Sequence, residues 1–136
     1  MLNVIVTETK DIEPVVYDWG AVKWVANNDV APGCEQSFGL VNILPGKTNP
    51  EHWHTAAEEL VYMLQGTCEI RTGDTKLTLS PGQTLFIPSG VNHELTNNGW
   101  EPVVYVCSFS ASSRGTLFED PSGPGAKPVA GGRADW

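Results

Sequence analysis

The feature that most constrains the fold is a succession of short β-type runs separated by turn residues. Apolar residues seldom recur at the three- and four-residue spacing that an amphipathic helix needs over three turns. Instead, eight runs are rich in Val, Ile, Leu, Thr and aromatic residues, which favour strands. These runs are residues 3–7, 21–26, 37–44, 59–64, 68–72, 76–79, 84–87 and 102–109. Gly and Pro pairs such as Pro45-Gly46 and Pro81-Gly82 separate them. The pattern predicts an all-β fold, namely an antiparallel sandwich, jelly roll or small barrel.

The composition changes after residue 109, where Ser, Gly, Pro and Ala dominate to the last residue. Such a segment contributes little to a core. We therefore expect one β-domain over residues 1–110 and a tail over residues 111–136. The tail is either mobile or folded over the β-domain, with Leu117, Phe118 and Trp136 as its apolar anchors.

The charge balance excludes several classes of partner. The 8 Lys and Arg residues stand against 16 Asp and Glu residues, which gives a formal net charge of −8. Nucleic acids and anionic membranes both require a basic face, so we expect neither as a partner.

No apolar stretch approaches the ~20 residues of a membrane-spanning helix, and residues 1–11 lack the features of a secretory signal. Cys34, Cys68 and Cys107 show no paired spacing, which is typical of reduced thiols. The prediction is a cytoplasmic protein.

The three histidines of the protein are grouped with a carboxylate. They are His52, His54 and His93, and Glu58 and Glu59 follow the first two closely. In a strand, side chains alternate between faces, so His52 and His54 point to the same side and can share one ion. A carboxylate and a third imidazole would complete a set that suits Fe, Mn, Co, Ni, Cu or Zn rather than Ca or Mg.

Two gapped motifs in this region resemble those of the cupin superfamily. Residues 46–66 match the first cupin motif, G-x5-H-x-H-x(3,4)-E-x6-G, at every fixed position. Residues 82–97 match the second, G-x5-P-x-G-x2-H-x3-N, after a linker of 15 residues typical of compact bacterial cupins. The chain is therefore identified as a small single-domain cupin, and the resemblance covers residues 46–97 directly.

The resemblance implies a double-stranded β-helix, an antiparallel jelly-roll barrel with a metal near one mouth. By motif position, the ligands of one divalent transition metal would be His52, His54, Glu59 and His93. Glu59 is chosen over Glu58 because it stands six residues before Gly66. Iron is the first candidate metal, with Mn, Ni, Co, Cu and Zn as alternatives.

Three functions remain open for such a site. The first is an enzyme, dioxygenase-like, that binds a small oxygenated or anionic molecule through its oxygens. The second is a non-redox, metal-dependent isomerase or lyase acting on a sugar acid or a similar acid. The third is a non-catalytic module that binds a small molecule. The fold alone does not separate them, but four intact ligands favour an enzyme over a binding module.

The catalytic residues are not identified by the sequence. The three histidines are assigned to the ion, which leaves Glu58, Glu94, Tyr105, water or the substrate for proton transfer. Cupin lyases that release dimethyl sulfide resemble this chain but carry a tyrosine two residues after the glutamate ligand, where this chain has Val61. Tyr62 should face away from the metal by strand alternation.

Aromatic residues and apolar strands give two further expectations. Trp24, Phe38, Met63, Phe86 and Tyr105 are candidates for the pocket wall or the core. Exposed apolar strand faces are usually covered, so we expect a homodimer formed by sheet packing or by exchange of the N-terminal strand at residues 4–6. A tail folded back over that surface is the alternative.

Overall fold

The computed structural model describes residues 3–131, and its regular structure is almost entirely β. Apart from one 3-10 turn, Thr9–Asp11, every element in this range is a strand. The strands are β1 (Val15–Tyr17), β2 (Gly20–Ala26), β3 (Ser37–Ile43), β4 (Thr48–His54), β5 (Glu59–Gln65), β6 (Cys68–Thr72), β7 (Thr75–Leu79), β8 (Thr84–Ile87), β9 (His93–Thr96), β10 (Val103–Phe109) and β11 (Thr116–Phe118). The predicted all-β fold class is therefore confirmed.

The strands form two antiparallel sheets that enclose the core. The six-stranded sheet has the order β1-β2-β3-β10-β5-β8, and the five-stranded sheet has the order β11-β4-β9-β6-β7. Alternation along β10 places Val103, Tyr105, Cys107 and Phe109 inside, each at most 4% exposed. Strand β5 alternates in the same way, with Val61 and Met63 buried. The inner faces of the two sheets thus form one hydrophobic core.

Asn97 fastens the turn between β9 and β10. Its Oδ1 accepts a hydrogen bond from the Gly99 backbone N–H at 2.9 Å, as expected for an Asn-initiated turn. Its Nδ2 donates to the carbonyl oxygens of Ile43 and Glu101, both at 2.9 Å. The side chain is 1% exposed, so it links the turn to the end of β3 inside the protein.

The strand assignments from sequence need two corrections. The apolar run at residues 3–7 is not a strand, and its Val4 and Val6 side chains are 99% and 88% exposed. The run joins neither of the two sheets, and a β-type composition forms a strand only where the chain pairs with another strand. Conversely, β1, β4, β9 and β11 were not among the eight predicted runs, although His52 and His54 of β4 were expected on a strand. Strands β1, β9 and β11 have only three or four residues each, too few for a periodicity to be recognised.

The described part of the Gly- and Pro-rich segment, residues 111–131, packs on the barrel. Strand β11 pairs with the edge of β4. Further along, Trp19 Nε1 donates a hydrogen bond to the Gly125 carbonyl at 3.0 Å, and the Val16 backbone N–H donates to the Ala130 carbonyl at 2.9 Å. Of the expected anchors, Phe118 is partly buried, Leu117 is 50% exposed, and Trp136 lies outside the described residues.

Within residues 3–131 there is no helix with the length and apolar character needed to cross a membrane.

Candidate metal centre

Three strands from both sheets bring the predicted ligands together. His52 and His54 lie on β4, and His93 begins β9 directly opposite His52 in the antiparallel register. Glu59 begins β5 in the other sheet. A register shift in the β4–β9 pair falls between Asn49 and His52, and such bulges redirect the side chains of a strand. The cluster consequently lies between the two sheets.

The four side chains are buried and close to one another. The ligating nitrogen atoms of His52, His54 and His93 all lie within 4.8 Å of one another. Glu59 Oε1 is 3.3 Å from His54 Nε2 and 3.2 Å from His93 Nε2. Each of the four residues is at most 7% exposed. Neighbouring Glu58, by contrast, is exposed.

The Nδ1 atom of each imidazole is already engaged. His52 Nδ1 lies 2.6 Å from the Pro50 carbonyl oxygen, and His93 Nδ1 lies 2.9 Å from that of Val91. A carbonyl oxygen only accepts, so Nδ1 carries the hydrogen in both residues. His54 Nδ1 contacts Thr116 Oγ1 at 2.8 Å. These contacts fix the ring orientations and reserve Nε2 for the centre of the cluster.

Burial and mutual repulsion set the charge states of the cluster. Burial, together with the neighbouring His93 and His54, lowers the pKa of His52 to about 3. Burial also lowers the pKa of His54, although Glu59 partly opposes this. For Glu59, burial acts to raise the pKa, but His54 and His93 outweigh it and hold the pKa below its usual value. For His93, burial acts to lower the pKa, but Glu59 outweighs it and the pKa rises. The buried Glu59 carboxylate thus faces His93, whose pKa is raised, and two imidazoles whose pKa values are lowered.

The cluster fits a transition-metal ion. His54 Nε2, Glu59 Oε1 and His93 Nε2 are buried and have no hydrogen-bond partner. A buried polar atom without a hydrogen-bond partner destabilises the folded state, so such atoms in a protein usually have a bound ion, a water molecule or a functional role. A divalent cation at their point of convergence would satisfy all of them. Three imidazole nitrogens with one carboxylate oxygen is a donor set that first-row metals accept.

The cluster opens into a cavity of about 500 Å³ between the sheets. Aromatic residues form much of its wall, and polar side chains stand among them. The lining includes Tyr17, Trp19, Trp24, Asn49, Tyr105, Cys107, Phe109, Arg114, Thr116, Phe118, Ala126, Lys127 and Pro128, together with His52, His54 and Glu59. A mainly apolar, concave site with a few converging polar groups is typical of small-molecule binding.

The structure distinguishes among the residues proposed for the pocket. Trp24 and Tyr105 line the cavity, and Met63 is buried in the core. Phe38 and Phe86 do neither: they are 40% and 54% exposed on the outer face of the six-stranded sheet. Both occupy outward positions in the alternation of β3 and β8, and this alternation decides their environment.

Of the proton-transfer candidates, only Tyr105 lines the cavity. Glu58 is exposed, and Glu94 forms an ion pair with Arg71 on the outside of the barrel. Burial raises the pKa of Tyr105 well above its usual value, so its phenol stays protonated. Tyr62 is 44% exposed and points away from the cluster, in agreement with the prediction.

Several residues of the cavity were missed by the sequence reasoning, among them Thr116 and Arg114. Thr116 contacts His54, and Arg114 lines the cavity with only 4% of its surface exposed. Both lie in a Ser- and Gly-rich stretch, and no local pattern signals their role. Only the return of the chain to the edge of β4 brings them to the site.

Known proteins were compared with this chain. The family model described as "Cupin domain" matches residues 39–109. Germin-like protein 5-1 of Oryza sativa subsp. japonica is 34% identical over 106 residues, which cover 72% of this chain and 48% of that protein. The chain spans about half the length of the plant relatives that it matches.

Two solved structures share the fold. Oxalate decarboxylase of Lactobacillus farciminis, in a formate complex, superposes with a TM-score of 0.74 at 25% identity, over 82% of this chain and 34% of that one. A recombinant oxalate oxidase in complex with glycolate gives a TM-score of 0.68 at 27% identity, over 74% of this chain and 55% of that one. The family and the jelly-roll fold expected from the two sequence motifs are thereby confirmed.

Proposed function

This chain belongs to the cupin superfamily, and we propose that it is a metal-dependent enzyme acting on a small carboxylic acid, with dioxygenase-like chemistry. His52, His54, Glu59 and His93 would hold one divalent transition metal, with iron as the first candidate and Mn, Ni, Co, Cu and Zn as alternatives. The observation that carries the proposal is the convergence of His54 Nε2, Glu59 Oε1 and His93 Nε2, all buried without hydrogen-bond partners, beside a cavity that His54 and Glu59 line. When bound, such an ion supplies Lewis-acid polarisation of a substrate oxygen and open positions for small oxygen ligands.

The residues around the cluster would prepare it for binding. The Pro50 and Val91 carbonyl oxygens hold the Nδ1–H groups of His52 and His93, so their Nε2 lone pairs are oriented before any ligand arrives. Because His93 is the imidazole with a raised pKa, protons compete with a metal ion more strongly for His93 than for His52 or His54. The preorganised rings reduce the entropy cost of forming the site.

The cavity wall would control water and protons. Trp24 and Phe109 form an apolar surface beside His54, which limits the water that can accompany a substrate. Tyr105 offers a phenolic O–H in the same cavity, and burial keeps it protonated. It is therefore suited to donate a hydrogen bond to a substrate oxygen.

The comparisons support an acid as substrate. Oxalate decarboxylase was solved with formate, and oxalate oxidase was solved with glycolate. Both bound molecules are small carboxylic acids that fit a cavity of about 500 Å³ easily. We extend to this chain the chemical class of small carboxylic acids rather than a particular compound.

The first experiment measures metal content and oxygen uptake. Protein purified without a histidine tag or added metal is analysed for its elements and then tested with keto acids, oxalate and glycolate. Iron with substrate-dependent oxygen consumption is the expected result. A redox-inactive metal without oxygen consumption would redirect the assignment to isomerase or lyase chemistry. Failure to bind any metal, even after reconstitution, would contradict the proposal and favour a binding module.

Paired variants test the ligand set. Glu59→Gln, His54→Ala and His93→Ala should each lower the bound metal several-fold, since each removes one donor. Glu58→Gln is the matched control, because this neighbouring carboxylate is exposed and should leave metal content unchanged. Full metal content in Glu59→Gln would remove Glu59 from the proposed ligands.

We also propose that the protein is a homodimer formed through the outer face of the six-stranded sheet. The register aligns Phe38, Ser108, Leu60 and Phe86 in one row across β3, β10, β5 and β8. Leu60 and Phe86 are 46% and 54% exposed, and Tyr62 and Leu64 extend the apolar surface along β5. An apolar sheet face of this kind usually packs against a partner.

Light scattering tests the dimer. The expected mass is twice 14.7 kDa. Leu60→Glu should yield a monomer, whereas Leu77→Glu, an exposed leucine on β7 of the other sheet, should remain dimeric. A wild-type monomer at micromolar concentration would refute the proposal.

A cytoplasmic location is proposed on the state of the thiols. Cys34, Cys68 and Cys107 are all free, as expected in a reducing compartment. Fractionation of the native cells tests this, and recovery of the protein outside the cytoplasm would contradict it.

A further inference from the structure

Part of the cavity wall comes from the segment that follows β10. The match to the cupin family model ends at residue 109, and all four proposed metal ligands lie inside it. Six lining residues lie beyond that limit: Arg114, Thr116, Phe118, Ala126, Lys127 and Pro128. The histidine cluster thus lies in the part of the barrel that matches the family model. One side of the cavity is built by the segment that follows it, residues 110–131, here called the additional segment.

The segment also brings positive charge to the cavity. The described lining residues include one acidic side chain, Glu59. They include two basic side chains, Arg114 and Lys127. Arg114 is 4% exposed, and Lys127 is exposed at the rim. In a protein with a net charge of −8, both basic side chains of this cavity come from the same segment. The local potential should therefore favour an anion despite the overall charge.

Aromatic rings hold the Arg114 guanidinium near the histidine cluster. Its Cζ lies 3.8 Å from the centroid of the Trp24 ring and 5.1 Å from that of Phe109. The Phe109 ring in turn lies 4.8 Å from the His54 ring. Together these distances keep the guanidinium carbon within about 10 Å of the His54 ring. Arg114 and His54 also line the same cavity, so one short molecule can contact both side chains.

We propose that Arg114 is the specificity-determining residue of the cavity and binds one carboxylate of a short dicarboxylate whose other carboxylate reaches the histidine cluster. The inference rests on the proposed function, because the histidine end is assigned there. The planar guanidinium matches a carboxylate with two parallel N–H donors, and stacking on Trp24 fixes its plane. A monocarboxylate would satisfy only one of the two ends.

Binding measurements with matched ligands test the proposal. Malonate and succinate are compared with their monomethyl esters, which have nearly the same length but one carboxylate fewer. Calorimetric titrations are made on the metal-loaded and on the metal-free protein. Each diacid should bind wild-type protein about ten-fold or more tightly than its ester, since a hydrogen-bonded charge pair is lost with the ester.

Variants assign the preference to Arg114. Arg114→Gln should weaken diacid binding about ten-fold and leave ester binding nearly unchanged. Arg114→Lys keeps the charge but loses the planar pair of donors, so it should retain only part of the preference. Lys76→Gln is the control, because it removes one positive charge from exposed β7, outside the cavity. Circular dichroism verifies that each variant is folded.

The outcomes separate this inference from the proposed function. Equal affinities for diacid and ester in wild-type protein, or an unchanged preference in Arg114→Gln, would overturn it even if metal is bound. If no metal binds, the proposed function fails, and the metal-free titrations still decide whether Arg114 recognises a carboxylate. If Arg114→Gln does not fold, the diacid-to-ester ratio in wild type and Arg114→Lys decides the matter.

Discussion

The protonation of the buried histidines affects the stability of the metal-free protein. His52 has its pKa lowered to about 3 by burial and by the neighbouring imidazoles, and that of His54 is lowered mainly by burial. In the unfolded chain, both would take up a proton near pH 6.5. The pKa of His93 is raised instead, so near pH 6.5 this residue partly opposes the effect of the other two. Between pH 6.5 and 5, the unfolded state therefore binds more protons than the folded state.

The metal-free protein should lose stability as the pH falls from 6.5 to 5. One histidine with the shift of His52 contributes about 2 kcal/mol over this interval. Urea unfolding of chelator-treated protein at the two pH values measures the effect, and His52→Gln should reduce it. An unfolding free energy that is equal at both pH values, or higher at pH 5, would contradict the assignment.

The three cysteines should differ in reactivity. Burial raises the pKa of Cys68 to about 12 and raises that of Cys107 further, so both remain protonated thiols. Cys34 is partly exposed. Titration of the native protein with a thiol reagent at pH 8 should therefore modify Cys34 rapidly, and the other two only after denaturation. Rapid modification of Cys107 would mean that the cavity admits the reagent and that the thiol is activated there.

At the scale of elements, β11 connects the additional segment to the histidine cluster. It pairs with β4 so that Thr116 lies opposite His54 and Phe118 opposite His52. The turn before it requires Gly115, which has a φ of +66°, and an added Cβ would overlap Thr55 Oγ1. The hydrogen bonds from Thr55 and Ala56 to the Gly115 and Arg114 carbonyls depend on this close approach.

Gly115→Ala should destabilise the protein by about 2–4 kcal/mol, since it adds both backbone strain and a steric clash. Gly33→Ala is the matched control: its φ is also positive, at +94°, but its Cβ would meet open space. The control should cost only the strain, about 1–2 kcal/mol. Urea unfolding of both variants gives the comparison. Equal losses would show that the approach of β11 to β4 is not a constraint.

At the scale of the whole molecule, the metal should act as a clamp between the two sheets. The three histidines belong to the five-stranded sheet and Glu59 to the six-stranded one. An ion held from both sides binds only when the sheets are assembled. Its binding free energy therefore adds to the stability of the fold.

Removal of the metal should lower Tm by several degrees, and re-addition should restore it in a concentration-dependent way. Glu59→Gln should abolish most of this response, because it cuts the link to the second sheet, whereas Glu58→Gln should keep it. Calorimetry with and without a chelator measures the difference. An unchanged Tm on complete metal removal would show that the ion does not bridge the sheets.

The sequence by itself determined the all-β class, the family and the grouping of the three histidines. These features are encoded locally: a His-x-His spacing on a strand sets a common face for His52 and His54, and Gly and Pro mark the turns. The outward position of Tyr62 followed from the same alternation. Such properties depend on neighbours within a few residues and survive without knowledge of the tertiary contacts.

The tertiary structure alone decided how the C-terminal segment completes the site. Thr116 meets His54 across 62 residues of sequence, and Arg114 reaches the Trp24 ring across an even longer interval. The run at residues 3–7 is not a strand for a similar reason, because strand formation depends on pairing with another strand and this run joins neither sheet. Long-range packing determines which strands pair, which charges are buried and which residues line a cavity. A local sequence pattern carries no information about this packing.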